Sequence, residues 1–215
     1  MRKKWIIPVI IIVVIIVVAG LYYKNVQARK AEQARIEERK RIDEEKRVAE
    51  QKRIHDEYEA IFIKTAGTVY VESVVCTLIC STISQFWEIA TKYSSVYSIN
   101  EAIDNAKKAL NKVALYEHVN KNKNEIDNEM RKLITPPEDF KNGYNFLMDM
   151  YGYYVQLYNQ ASSPSGSYIS FNRDVNEKFS EVQKSYEKIK VVIPSVQEEV
   201  EKQKKKLEIE KKIKT

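Results

Sequence analysis

The sequence predicts an all-α protein with a single N-terminal transmembrane helix, a charged helical stalk and an antiparallel bundle of three or four helices. The first observation is an uncharged, apolar run over residues 5–23. The second is a run of interleaved acidic and basic residues at 24–57. The third is the recurrence of apolar residues every three or four positions in the rest of the chain, which is typical of one helix face. The 215 residues include five Gly and five Pro, and no period-two pattern follows the apolar run, so strands are not expected.

These patterns divide the chain into five parts. Removing the apolar and charged runs leaves roughly 155 residues, enough for one domain with its own core. The parts are a basic N-terminal tail at 1–4, a transmembrane anchor at 5–23, a charged single-helix stalk at 24–57, a helical bundle domain at 58–194 and a charged C-terminal helix at 195–215.

The anchor is the stretch from Trp5 to Tyr23, which contains 19 uncharged residues dominated by Ile and Val. This is close to the ~20 residues with which an α-helix crosses ~30 Å of hydrocarbon. A lone span must satisfy its backbone hydrogen bonds internally, so it is expected to be helical. Trp5, Tyr22 and Tyr23 are placed like the aromatic residues of membrane interfaces. One membrane span is therefore predicted.

The orientation follows from the charges beside the span. The short head with Arg2, Lys3 and Lys4 favours an N-terminus in the cytoplasm and a domain outside the cell membrane. The alternative is secretion after signal cleavage near Gly20, because small residues there suit a signal peptidase. A bacterial lipoprotein would carry Cys after the Ala-Gly pair, and this chain has Leu21.

The stalk contains a six-residue repeat, RIEERK, RIDEEK, RVAEQK and RIHDEY, marked by Ile36, Ile42, Val48 and Ile54. A step of six residues turns the apolar position by about 120° around a helix, so these residues spiral and form no continuous seam. Opposite charges four residues apart, such as Glu37 with Arg41, favour a solvated helix that serves as a stiff spacer. A coiled-coil arm with a poor seam is the alternative. His55 is expected to be solvated.

The first domain helix is predicted to end near Tyr97. Its buried stripe follows a four-three spacing, and Leu78 and Ile89 belong to a second apolar row beside that stripe. The uncharged stretch between Glu72 and Glu88 is too short for a second span, so a core helix is expected. The stripe consists of Val69, Ser73, Cys76, Cys80, Ile83, Trp87, Ala90, Ser94 and Tyr97. The second row consists of Val71, Val75, Leu78, Phe86, Ile89, Tyr93 and Val96.

The second domain helix is predicted to begin with a capping box formed by Ser98 and Glu101. It continues to about Leu133, with the polar residues 121–124 loosening its middle. At the next boundary we expect Thr135 to cap a third helix that starts at Pro136.

The third domain helix is rich in tyrosine and carries two apolar faces. Tyrosine buries its ring while its hydroxyl seeks a polar partner. One interpretation is an aromatic groove for a glycan or a peptide, and the other is a Tyr-rich core. The candidate ligand or partner surface consists of Tyr144, Tyr151, Tyr153, Tyr154 and Tyr158.

A loop at 162–167 separates the third helix from the fourth, and Pro194 is expected to interrupt the fourth helix. The loop, SSPSGS, lacks the Gly spacing and the Lys of a phosphate-binding loop, so it is interpreted as a turn.

Few residues offer catalytic or metal chemistry. Cys76 and Cys80 are predicted to be free, buried thiols, with a disulfide between them as the alternative. The two histidines, His55 and His118, are too few for a zinc site with these cysteines, and no nucleophile-base pair is evident. We therefore predict no catalytic residue, no metal and no cofactor. Arg2, Lys3 and Lys4 supply half of the net charge of +6, and Lys and Glu are interleaved in the rest of the chain, so no nucleic-acid partner is expected.

The region from Pro136 to Pro194 contains PPEDF, the Tyr-rich helix, SPSGSYISF and a helix ending in VVIP. This combination resembles a group of uncharacterised extracytoplasmic helical proteins of Gram-positive bacteria. Members of that group are lipoproteins or membrane-tethered proteins, so the resemblance implies a domain outside the membrane. It implies no catalytic residues. Because Leu21 replaces the lipoprotein Cys, the tether in this chain would be the helix itself.

The predicted function is a membrane-anchored, extracytoplasmic binding or scaffolding module of the cell envelope, without enzymatic activity. Its partner would be another envelope protein or a second copy of the chain. The alternative is an extracytoplasmic ligand sensor with an aromatic site on the third domain helix. An enzyme would require His118 in a cleft, facing an acid or a nucleophile.

Overall fold

The computed structural model describes the backbone of residues 6–92 and 98–213 and the side chains of 20–27, 29–92 and 98–208. Within these ranges the chain is helical and contains no strand, which confirms the all-α prediction. The elements are α1 (Ile6–Lys92), α2 (Ile99–Lys112), α3 (Leu115–Lys132), a 3-10 helix (Glu138–Phe140), α4 (Lys141–Ser162), α5 (Tyr168–Val192) and α6 (Ser195–Ile213). The chain divides into two compact units, Met1–Ile54 and His55–Thr215.

In the first unit, ion pairs repeat with the six-residue period of the sequence. Arg41, Arg47 and Arg53 each bind the glutamate three residues earlier, at 2.9, 2.6 and 2.8 Å. Arg41 therefore binds Glu38 instead of Glu37, the acid four residues earlier that the spacing predicts. Ile36, Ile42, Val48 and Ile54 are exposed, as expected for a solvated helix, and their exposure gives the coiled-coil alternative no support.

The helix α1 is long and apolar enough to cross a membrane, judged by length and composition alone. The apolar window found within Gly20–Lys92 has a mean hydropathy of 1.5, and 61% of it is buried inside the structure, as in a core helix. Residues 6–23 of the predicted anchor belong to α1. Trp5 and the tail at 1–4 lie outside the described residues. By its length and composition, the apolar N-terminal helix is a candidate membrane span or signal anchor.

In the second unit, one cluster of buried apolar side chains includes residues from all six helices. Phe62, Leu147, Tyr154 and Phe171 are among its fully buried members. The helices α4 and α5 share an extensive contact. Residues near the start of α4 lie beside the end of α5, so these two helices run in opposite directions.

The buried face of α1 agrees with the predicted stripe, since its seven described residues from Val69 to Ala90 are buried. Ser94 and Tyr97, with the predicted end of this helix, lie outside the described residues.

The second apolar row agrees with the expectation only in part. Val71 and Val75 are buried. Leu78 is 44% exposed and Ile89 is 50% exposed, because they lie on the side of α1 that turns away from the core.

The predicted second domain helix is two helices in the structure. Its capping box is confirmed, because Ser98 Oγ accepts from Glu101 N and Glu101 Oε2 accepts from Ser98 N. The break lies at Val113 and Ala114, not at 121–124, and Ala114 has a left-handed backbone with φ 54°. This residue redirects the chain between α2 and α3, so that the two apolar stripes both face the core.

The prediction that Thr135 caps a helix starting at Pro136 is wrong. The 3-10 helix starts at Glu138 after Pro137, without a side-chain cap, and α4 starts at Lys141. The turn at 162–167 is confirmed, since α4 ends at Ser162 and Ser167 caps α5. The interruption at Pro194 is also confirmed. The described residues form six α-helices, more than the sequence predicts, because the predicted second domain helix is divided into α2 and α3.

Candidate functional site

Three of the predicted tyrosines come together where α4 faces α3. Their rings form a row, with centroid distances of 6.3 Å between Tyr151 and Tyr154 and 6.5 Å between Tyr154 and Tyr158. The Tyr151 hydroxyl donates to Asp127 at 2.7 Å, and the Tyr158 hydroxyl donates to Asn120 at 2.8 Å. The outer hydroxyls of the row are therefore held by side chains of α3.

Burial is the main cause of the raised pKa values of Tyr151 and Tyr154 in this row. It raises the pKa of Tyr151 to about 12, and the hydrogen bond to Asp127 adds to the effect. It also raises the pKa of Tyr154, whose side chain is fully buried. Lys123 Nζ lies 5.8 Å from the ring centre of Tyr151 and 5.7 Å from that of Tyr158. The row is consequently packed beneath α3.

The other two predicted residues, Tyr144 and Tyr153, are half-buried and pack separately against the core cluster. The structure does not bring them into the tyrosine row. In the described part of the chain, the clefts at Glu72, on α6 and at the α4–α5 turn are lined by other side chains.

A buried polar cluster lies between α1 and α3, where the sequence analysis had marked only His118. Glu72 of α1 is 3% exposed. Its Oε1 lies 2.9 Å from His118 Nε2 and 2.7 Å from Asn122 Nδ2. Because a carboxylate oxygen only accepts, both nitrogens act as donors to it. The other oxygen, Oε2, is buried and has no hydrogen-bond partner among the residues that the structure describes.

Helical spacing explains the geometry of this cluster. His118 and Asn122 are four residues apart, so both side chains extend from one face of α3 toward the same carboxylate. Glu72 lies directly beside Ser73 of the buried stripe of α1. Glu72 is a single acid within an apolar helix face. A charged group that is buried requires polar partners, so this residue is the signal in the sequence that could have indicated the cluster.

The cluster forms part of a cleft of about 480 Å³ whose walls come from α1, α3 and α6. The helix α6 approaches α1 closely at Gly67, where a Cβ atom would lie 3.0 Å from Glu199 Cγ. Gln203 Nε2 donates to Thr68 Oγ1 of α1 at 3.1 Å, which links the two helices, and to Glu199 Oε1 of its own helix at 2.8 Å. The wall that α6 forms therefore depends on Gly67 of α1, because a side chain at this position would meet Glu199 of α6.

The two cysteines are free and buried, as predicted. Burial, followed by the nearby Glu72 carboxylate, raises the pKa of Cys76 well above its ordinary value. Burial raises the pKa of Cys80 to about 12. Both thiols are therefore protonated and unreactive at neutral pH.

His55 is paired, where the sequence analysis had expected it to be solvated. Its Nε2 lies 2.7 Å from Asp139 Oδ2, and its ring lies edge-on to Phe140 at 5.5 Å. The hydrogen bond to Asp139 raises the pKa of His55 and lowers that of Asp139. Ligand atoms of His55, Asp56 and Glu59 lie within 4.8 Å of one another, an arrangement that exposed acidic groups often show without a metal.

Comparisons of the chain with protein-family models, with curated proteins and with solved structures gave no match.

Proposed function

We propose that this chain is a single-pass membrane protein whose helical domain works outside the cytoplasm as a binding or scaffolding module of the cell envelope. The apolar residues 5–23 would form the span, and the solvated residues 24–57 would act as a spacer. The domain at 58–194 would form an antiparallel helical bundle. The resemblance of the region from Pro136 to Pro194 to extracytoplasmic Gram-positive proteins supports the same location.

The observation that carries the choice of a binding module over an aromatic sensor is the packing of the tyrosine row. Tyr154 is fully buried, and the hydroxyls of Tyr151 and Tyr158 are bound by Asp127 and Asn120. A sensor with its ligand on these rings would first have to separate α4 from α3. A filled interface beneath a charged exterior suits a scaffold better.

The proposed role is not catalytic and needs no cofactor. His118 lies in a cleft and faces an acid, Glu72, which is the arrangement that the sequence requires of an enzyme. The proposed role stays non-catalytic because His118 and Asn122 both hold the buried Glu72 carboxylate, and an amide is not a nucleophile. Partners of the module would be another envelope protein or a second copy of the chain, and nucleic acid is not expected.

Cysteine labelling in intact cells tests the proposal. Gln51 is exposed, so Gln51→Cys offers a reactive thiol outside the core, while the buried Cys76 and Cys80 can remain in place. We expect an impermeant maleimide to label this variant in cell-associated protein. Lys3→Cys, on the other side of the proposed span, should stay unlabelled until lysis, and the unsubstituted chain should stay unlabelled before and after lysis because its thiols are buried.

Protection of Gln51→Cys until lysis would contradict the external location and would leave a cytoplasmic membrane adaptor. Labelled protein in the culture medium, shortened at its N-terminus, would instead show cleavage near Gly20.

A further inference from the structure

Three side chains that can bind a metal converge on one turn of α1, at the start of the second unit. Ligand atoms of His55, Asp56 and Glu59 lie within 4.8 Å of one another. Helical spacing explains this convergence, because residues three and four positions apart are neighbours on the surface of a helix. Two ligands four residues apart on one helix face also hold the zinc ion of the H-E-x-x-H motif. The spacing of His55 and Glu59 is therefore one that chelates a metal.

The histidine of this group is held by a second segment of the chain. Its Nε2 lies 2.7 Å from Oδ2 of Asp139, and its ring lies edge-on to Phe140 at 5.5 Å. Both residues belong to the 3-10 helix that precedes α4. Because a carboxylate oxygen only accepts, Nε2 carries the hydrogen, and Nδ1 of the neutral ring keeps its lone pair. A histidine that binds a metal through one nitrogen almost always gives its other N–H to such an acceptor.

The remaining nitrogen faces Asp56 at a distance that suits two ligands of one ion. His55 Nδ1 lies 3.7 Å from Asp56 Oδ1. This is longer than a hydrogen bond, whose N···O distance is about 2.7–3.2 Å. Zinc lies about 2.0–2.2 Å from nitrogen and oxygen ligands, so two such atoms at a tetrahedral angle are about 3.4 Å apart. Because Asp56 is exposed, a small movement of its side chain would bring both atoms onto one ion.

The two carboxylates of the group lack the partners that other acids of α1 have. Glu44 and Glu50 are each bound by an arginine three residues later. Asp56 and Glu59 have no lysine or arginine partner among the residues that the structure describes. Neighbouring carboxylates repel each other, and a cation bound between them removes this repulsion.

The ligand atoms select the class of metal. One imidazole nitrogen with two carboxylate oxygens suits zinc and related divalent transition metals. Magnesium and calcium prefer oxygen ligands alone, and soft copper(I) prefers sulfur. His55 and Glu59 are half-buried, so an ion can reach them from solvent, and three protein ligands leave one position for water.

We propose that His55, Asp56 and Glu59 bind a divalent transition-metal ion of the zinc class on the surface of α1. The ligand atoms are Nδ1 of His55 and a carboxylate oxygen from each acid. Asp139 is a positioning residue that orients the imidazole through Nε2. The expectation of no metal rested on cysteine ligands and a solvated His55, whereas this site uses carboxylates and a held histidine. The site depends neither on the membrane location nor on the scaffold role, so its test can fail separately.

Isothermal titration calorimetry of the untagged full chain in nonionic detergent tests the proposal. The probe is zinc chloride at about pH 8, where the imidazole is largely neutral. We expect one zinc ion per chain to bind with a Kd of about 100 µM or below. Magnesium and calcium should bind at least about tenfold more weakly.

Variants of the ligands locate the bound ion. His55→Gln, Asp56→Asn and Glu59→Gln each remove one ligand, so each should weaken zinc binding by about tenfold or more. Glu57→Gln is the matched control, because it removes the same charge from the same helical turn but lies outside the cluster. Its affinity for zinc should stay unchanged.

NMR with nitrogen-labelled histidine tests the role of Asp139. Zinc should shift the Nδ1 signal of His55 and leave the Nε2 hydrogen in place, and His118→Gln should leave both signals and the affinity unchanged. Asp139→Ala should weaken binding by about tenfold. It should also allow the ion to occupy either ring nitrogen, an effect that a general loss of stability would not produce.

Four results would overturn the inference. They are the absence of saturation by zinc up to about 1 mM, unchanged affinity in a folded His55→Gln chain, equal losses in Glu57→Gln and Glu59→Gln, and zinc on Nε2 in place of Asp139. Binding of magnesium or calcium as tightly as zinc would overturn the class of metal. If His55→Gln fails to fold, as judged by circular dichroism, unchanged affinity in Asp56→Asn would overturn the site.

Discussion

Gly143 in α4 lies directly against Ile193, the residue that follows the end of α5. A Cβ atom built on Gly143 would be 2.7 Å from Cδ1 of Ile193 and 3.2 Å from Cζ of Phe62. The absence of a side chain at this position therefore allows α4, α5 and α1 to meet closely at one end of the core.

Gly143→Ala should lower the stability of the domain. The added methyl group overpacks the contact, at a cost of about 1–3 kcal/mol, which exceeds the gain of about 0.5–1 kcal/mol in helix propensity. Each kcal/mol corresponds to about 2–4 °C in melting temperature for a chain of this size. Thermal unfolding of the full chain in nonionic detergent, followed by circular dichroism, measures the change.

Gly152→Ala is the matched control. No atom lies within 4 Å of its Cβ position, so this variant should be stabilised by about 0.5–1 kcal/mol. Ile193→Val removes Cδ1 and should restore part of the stability lost in Gly143→Ala. Equal melting temperatures for the two alanine variants would contradict the close contact.

Tyr151 and Tyr154 should respond oppositely to loss of the hydroxyl group. Tyr151→Phe removes a hydrogen bond to Asp127 and should cost about 0.5–1.5 kcal/mol. The Tyr154 hydroxyl is buried without a hydrogen-bond partner, so Tyr154→Phe should be neutral or stabilising. The melting temperatures of the two variants provide the comparison, and a loss at Tyr154 as large as that at Tyr151 would show that its hydroxyl is bound.

Ala114→Gly should stabilise the link between α2 and α3. A left-handed backbone costs an L-residue about 1–2 kcal/mol, and this cost exceeds the extra entropy that Gly has in the unfolded chain. We expect a net gain of about 0.5–1 kcal/mol. Ala109→Gly, at an exposed position inside α2, should instead lose about 0.5–1 kcal/mol. Destabilisation by both variants would refute the left-handed conformation at Ala114.

The pair of His55 and Asp139 should make stability depend on pH. A raised His55 pKa contributes stability below the ordinary value of 6.5, and this is lost as the pH rises through the folded-state pKa. A lowered Asp139 pKa contributes stability above 3.8, and this is lost as the pH falls through the folded-state pKa. Both contributions are therefore present together between these two ordinary values.

NMR titration of the full chain with labelled histidine measures this pair directly. The chain has two histidines, so the signals can be assigned with a His118→Gln variant. The pKa of His55 should lie above 6.5 and should fall toward that value in Asp139→Asn. A His55 pKa that does not change in Asp139→Asn would disprove the pairing.

Cys76 and Cys80 should resist thiol reagents in the folded protein. Both are buried, and a thiol with a pKa near 12 holds little thiolate at neutral pH. Ellman's reagent should detect no thiol in the native chain and two thiols after denaturation, with Gln51→Cys adding one that reacts at once. Rapid reaction of the native chain would mean that this part of α1 opens frequently.

The amino-acid pattern determines much of this molecule locally. The spacing from Val69 to Ala90 identifies the buried face of α1, because a helix repeats its faces every three to four residues. The capping box at Ser98 is equally local, since its donors and acceptors lie within four residues. Pro194 interrupts the helix because its ring prevents the preceding turn from continuing.

Other features depend on contacts between distant segments. The break at Ala114 follows from the need of two apolar stripes to face one core. Leu78 and Ile89 are exposed because the apolar surface of α1 is wider than the area its neighbours cover. No local rule assigns His55 to Asp139, which lies 84 residues away in the chain.

By itself, the sequence determined the all-α class, the helix faces, the apolar and charged character of residues 5–57 and the two buried thiols, because these depend on neighbours within one or two helical turns. Only the tertiary structure decided that three of the five tyrosines fill the interface between α3 and α4. It alone placed Glu72, His118 and Asn122 together beside the lysines of α6. The physical reason is that a buried charge is satisfied by whichever donors the fold brings to it, and these lie about 50 residues away along the chain.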